Sequence, residues 1–190
     1  MYYGIYKNIR NSAWQCLLDF GITGLPVDLT RITEQAGIPL IRNSLVGEIR
    51  MGEAAKSFCD GNSWVIVFDD TLPVRAARFA VAHEIGHYLL GHDESFERYA
   101  AKNVGKAVSP AEKQADTFAA RLLCPSCVLW GLDVQNEDEV AGFCLVEPDV
   151  ARARYRRLQT LRRRNLFLSD PTEKLLYERF EDYIREHKHP

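Results

Sequence analysis

The chain has 190 residues, 46% hydrophobic and 11% aromatic, which suffices for one compact domain or for one with a small appendage. A formal charge of −2 argues against general attraction to nucleic acid or membrane, and no run approaches the roughly 18 apolar residues of a membrane span. The start carries no signal-type apolar segment, and the five cysteines, odd in number, read as reduced thiols, so a cytoplasmic protein is expected.

In chain order, Tyr3 to Phe20 is predicted as a first helix, with Ile9, Ala13, Cys16, Leu17 and Phe20 at helical spacing and Gly21 as its stop. Asp28 to Ala36 follows as a short helix that Asp28 can cap. Two β-prone runs around Asp60-Gly61-Asn62 predict a hairpin whose second strand, Trp64 to Phe68, is well buried. Thr71 can cap a helix with Pro73 in its first turn, running to Gly91. His92 to Val108 is expected to be loop-rich, and a further helix runs from Ser109 to Pro125. From Gly131 the character changes. Residues 136 to 158 predict a helix, a short turn and a second helix, the size of a helix-turn-helix unit. A last helix starts at Asp170, its N-cap, with Pro171 in first position and Glu173 completing a capping box.

The third predicted helix carries the chemistry. His83 and His87 are four residues apart and so share one face, while Glu84 lies about 100° round, within reach of a water on a shared metal ion. That is the physical content of H-E-x-x-H, two ligands and a general base. A catalytic zinc needs a third protein ligand and an open position. His92 lies beyond the helix stop, Glu94 is too far along the axis, and the longer H-E-x-x-H-x-x-G-x-x-H pattern is absent. Glu112 is the better candidate, with Asp116 one turn later on the same face to orient a ligand histidine. The alternative for Glu112 is a capping box with Ser109.

The segments R-F-A-V-A-H-E-I-G-H-Y-L-L-G-H and E-K-Q-A-D-T-F-A-A-R-L-L-C-P together resemble the ImmA/IrrE family of metallo-endopeptidases. The likeness covers most of the chain and is weakest over the first forty residues. It implies that His83, His87 and Glu112 bind the metal, that Glu84 is the catalytic base, and that Asp116 supports a ligand. It also implies a protein substrate, a helix-turn-helix repressor encoded nearby, whose cleavage derepresses its target genes in a mobile element.

The reading is therefore an α+β protein: a helix-rich zincin-like core with a small sheet over residues 1–130, and a helical region over 131–190. The expected cofactor is Zn2+, with Mn2+ or Fe2+ able to use the same ligands. Tyr88, His92 and Tyr99 are candidate oxyanion donors. Cys124 and Cys127 read as buried structural thiols, since no second C-x-x-C completes a zinc site. Arg152, Arg154, Arg156, Arg157, Arg162, Arg163 and Arg164 form a stretch without acidic residues that could meet DNA phosphates or a partner protein. The alternative function is a DNA- or protein-binding regulator whose metal site is structural or inactive.

Overall fold

The computed structural model describes residues 3–60, 63–92 and 109–188. The tip of the hairpin, Gly61 and Asn62, and most of the segment expected to be loop-rich, with Tyr99 in it, lie outside the described residues. The described elements are α1 (Tyr3–Asp19), α2 (Leu29–Gln35), β1 (Leu40–Arg42), α3 (Asn43–Val46), β2 (Ala55–Asp60), β3 (Ser63–Phe68) and α4 (Val74–Leu89). They continue with α5 (Pro110–Leu123), α6 (Ser126–Gly131), α7 (Glu137–Cys144), α8 (Pro148–Arg163), α9 (Pro171–Arg179) and α10 (Glu181–His187). The fold is α+β and rich in helix, as expected.

The chain divides into two compact units, one of Leu29–Ala119 and one of Met1–Asp28 with Ala120–Pro190. In the first, the hairpin β2–β3 forms with Ser57 opposite Ile66 and Asp60 opposite Ser63. The sheet has a third strand that the sequence did not announce. β1 pairs in parallel with β3, Leu40 opposite Ile66, giving the order β1-β3-β2. β3 is thus central, and Val65, Ile66 and Val67 are buried. α4 packs on β2 and β3, burying Val81 and Ile85, and α2 packs on α4 through the same core.

Two helix starts are informative. α4 is capped two residues later than expected: Thr71 instead closes an Asx turn on Asp69, whose Oδ1 accepts from the Thr71 N–H at 2.9 Å, and Pro73 stands at the N-cap. At α5, Ser109 Oγ accepts from the Glu112 N–H at 3.2 Å, so the serine does cap its helix.

In the second unit, α1 packs on α9, and α7 and α8 pack together across a turn in which Leu145 has φ 51°. The expected order of a helix, a short turn and a second helix is present at these residues. The N-caps Asn136 and Asp170 accept from Glu139 N and Thr172 N, the second as its sequence position suggested. The last predicted helix breaks at Phe180 into α9 and α10, and the short α6 was not anticipated. Cys16, Cys124, Cys127 and Cys144 are buried free thiols, and burial pushes Cys16 up to about 12; Cys59 is exposed. No helix among the described residues is long and apolar enough to cross a membrane.

Candidate metal centre

The site forms where α4 touches two neighbours at once. One face of α4 lies on the hairpin and another meets α5. H-E-x-x-H straddles the border, so its histidines face α5 while its glutamate faces the sheet. Gly86 makes the helix crossing close: a Cβ there would stand 3.1 Å from the Phe118 ring and 3.3 Å from the Ala115 backbone. A glycine at this position lets the two backbones approach, and that approach brings the carboxylates of α5 to the imidazoles of α4.

Three donor groups converge. His83 Nε2 and His87 Nε2 are 2.9 Å apart. His83 Nε2 lies 3.2 Å from Glu112 Oε2, and His87 Nε2 lies 3.4 Å from Glu112 Oε1. Among the described residues this is the group of three whose donor atoms all lie within 4.8 Å of one another. Tetrahedral zinc with bonds of roughly 2.0–2.1 Å sets its donors about 3.3 Å apart. The observed separations bracket that spacing, and the donor set of two imidazoles and a carboxylate suits a divalent transition metal.

The electrostatics point the same way. Burial disfavours charge on His83. Hydrogen bonds to Asp116 and Glu112, with the nearby Glu84 charge, outweigh it and raise the pKa to about 9. Burial and the His83 charge together hold His87 well below the ordinary histidine range. Glu112 is lowered, chiefly by its hydrogen bond with His83. One positive charge at the focus of the site is therefore favoured, which a bound cation would satisfy.

Each imidazole has a partner on its far nitrogen. Asp116 Oδ1 accepts from His83 Nδ1 at 2.9 Å. His87 Nδ1 lies 3.1 Å from His92 Nδ1, and His92 Nε2 lies 3.1 Å from Gln114 Oε1. The sequence pattern gave no hint of Gln114. It lies two residues past Glu112, about 200° round α5, away from the carboxylate face. With both ring nitrogens so engaged, His92 does not join the three convergent donors.

Glu84 is buried, and its Oε2 accepts a short hydrogen bond from the Ser57 hydroxyl on β2. Ser57 is a second residue that sequence reasoning passed over, because an isolated serine in a strand carries no motif. Its backbone is equally informative. Ile66 donates its N–H to Pro39 on the β1 side. Its hairpin partner Ser57 is therefore in a non-hydrogen-bonded pair and turns its own N–H and C=O toward the open edge of β2. Tyr88, one turn past Glu84, is partly exposed and tilts against Trp64 with ring centroids 5.7 Å apart.

The arginine stretch of α8 is largely engaged within its own unit. Arg154 is buried and donates to the Cys124 carbonyl at 2.7 Å and to Ser126 Oγ at 2.7 Å. Arg152 pairs with Asp149 at 3.0 Å and with Glu137 at 3.4 Å, and Arg162 pairs with Asp133 at 3.2 Å. Arg156, Arg163 and Arg164 are exposed.

No curated protein matches the chain at a significant level. The family described as the IrrE N-terminal-like domain, of the M78 peptidases, matches residues 33–136, a span that holds every residue of the centre. That match covers more than half of the 190 residues, and together with the clustered histidines and glutamate it identifies the chain as a member of the ImmA/IrrE family of metallopeptidases.

Proposed function

We propose that the protein is a cytoplasmic zinc endopeptidase of narrow specificity, with His83, His87 and Glu112 as metal ligands, Glu84 as general base and Asp116 orienting His83. The observation that carries this reading is the convergence of three donor atoms beside a buried carboxylate on the same helical turn. A divalent ion held there supplies Lewis acidity toward a carbonyl oxygen and makes water more acidic.

The chain's own residues supply the rest. Ser57 holds Glu84 Oε2 and so aims the carboxylate that would take the proton of the attacking water and return it to the leaving amine. Asp116 keeps the His83 Nδ1 proton in place, so that Nε2 carries the lone pair. The outward N–H and C=O of Ser57 can bond an extended peptide laid along β2, which would bring its backbone beside the base. Zinc is favoured by the ligand set, and Mn2+ or Fe2+ can occupy the same donors.

As substrate we favour a helix-turn-helix repressor encoded nearby, whose cleavage would derepress its target genes. The functional division we adopt is catalytic over 1–130, with 131–190 as a helical appendage suited to holding a protein partner. Direct DNA contact through Arg152 to Arg164 is disfavoured by the internal pairing of Arg152, Arg154 and Arg162.

The test joins metal content with cleavage. The full chain should bind about one zinc and cleave the product of the adjacent open reading frame. Glu84→Gln should keep the zinc and lose cleavage. A Glu84→Gln variant that cleaves at the normal rate removes the base assignment, and a chain that binds no divalent metal removes the centre itself.

A further inference from the structure

We infer that His92 and Gln114 form a relay that selects which nitrogen of His87 is offered to the metal, and so act as positioning residues for a ligand. The inference rests on the metal-centre reading above and extends it to two residues that no motif marks.

A glutamine Oε1 only accepts, so the 3.1 Å contact places the hydrogen of His92 on Nε2. A neutral imidazole with its hydrogen on Nε2 has a lone pair on Nδ1. That lone pair faces His87 Nδ1 at 3.1 Å and must accept from it. His87 then carries its hydrogen on Nδ1 and its lone pair on Nε2, the atom that faces His83 and Glu112. Had the glutamine presented its NH2 group instead, every hydrogen in the chain would shift and His87 Nε2 would be a donor, unable to bind a cation. The side-chain oxygen of Gln114 therefore sets the chemistry of a nitrogen two rings away.

The backbone builds this arrangement on purpose-made geometry. Gly91, at φ 69°, ends α4 in a Schellman turn, with Gly91 N donating to Tyr88 O at 3.2 Å and His92 N to His87 O at 3.0 Å. The turn folds His92 back beside His87, with ring centroids 5.1 Å apart in an edge-on contact, and buries it. An uninterrupted helix would have carried residue 92 about 140° away from residue 87. The two ligand histidines are consequently unlike: a half-exposed carboxylate supports His83, while a buried imidazole, itself held by a glutamine, supports His87.

The experiment titrates zinc into chelator-stripped full-length protein in competition with a chromophoric chelator, for the wild type, His92→Ala, Gln114→Met and Gln114→Glu. Gln114→Met keeps the side-chain length and removes the acceptor, whereas Gln114→Glu keeps an acceptor oxygen. His92→Ala and Gln114→Met should weaken zinc binding by about 10- to 100-fold, the range for lost support of a ligand. Gln114→Glu should bind within a few-fold of wild type or more tightly. Nitrogen-15 spectra of the imidazoles should show the His87 hydrogen on Nδ1 in the wild type, with that preference lost in Gln114→Met. Wild-type affinity in Gln114→Met, or an equal loss in Gln114→Glu and Gln114→Met, overturns the relay while leaving the metal centre standing. Failure of the unsubstituted chain to bind zinc would instead sink the metal reading itself.

Discussion

The Ser57 hydroxyl on β2 and the Glu84 carboxylate on α4 are joined by a buried hydrogen bond that ties the edge strand of the sheet to the helix carrying the histidines. It is a contact between residues 27 positions apart, and it aims a carboxylate that would otherwise be buried with one donor fewer. Ser57→Ala should lower stability by about 1–3 kcal/mol, the cost of leaving a buried acceptor short of a partner. Urea unfolding midpoints read this directly. In a Glu84→Ala background the same substitution should cost much less, and an equal cost in both backgrounds would show that the pair is not coupled.

Gly86 stands at the closest approach of α4 and α5, where an added Cβ meets the Ala115 backbone at 3.3 Å. Gly86→Val should force the helices apart, destabilise the fold by about 1–3 kcal/mol and weaken zinc binding, because Glu112 rides on the displaced helix. Equilibrium unfolding and a zinc titration test the two effects separately. Retained affinity with lost stability would mean that the ligands reach the site without the tight crossing.

Binding of an ion by the folded state alone must stabilise it. Zinc at a hundredfold excess over its dissociation constant should add about 2.7 kcal/mol, seen as a raised melting temperature that a chelator reverses. Glu112→Ala should abolish most of that rise by removing one of the three convergent donors. A rise of the same size in Glu112→Ala would place the ion elsewhere.

Arg154 belongs to the stretch that the sequence offers as a basic surface, yet its guanidinium lies inside the fold on the Cys124 carbonyl and Ser126. Arg154→Leu should cost about 1–3 kcal/mol, since a buried carbonyl and hydroxyl lose a charged donor. Arg156→Ala, at an exposed position of the same helix, should stay within about 0.5 kcal/mol of wild type. Thermal unfolding of the two variants makes the comparison.

Features encoded in a few adjacent residues were legible beforehand. The i, i+4 histidines lie on one face because the helical period puts them there. Ser109 and Asp170 accept hydrogen bonds at their helix starts because capping is a local reaction of a side chain with the next turn. Glu112 shows the border of this kind of knowledge. Its position three residues after Ser109 fits a capping box, but its carboxylate turns to His83 and His87, where two imidazoles stabilise its charge. Thr71 was misread for the converse reason: Asp69 offered a nearer local acceptor and took the hydroxyl into its own turn.

The sequence by itself determined the longer helices, the hairpin and the spacing that places two imidazoles and a glutamate on consecutive faces of α4, because each depends on torsions and hydrogen bonds within about one turn. The tertiary structure decided the pairing of β1 with β3, the grip of Ser57 on Glu84, and the return of His92 to His87 and Gln114. These contacts join separate elements, or depend on how a turn packs once its helix has ended. Their strength comes from burial, which no local pattern encodes.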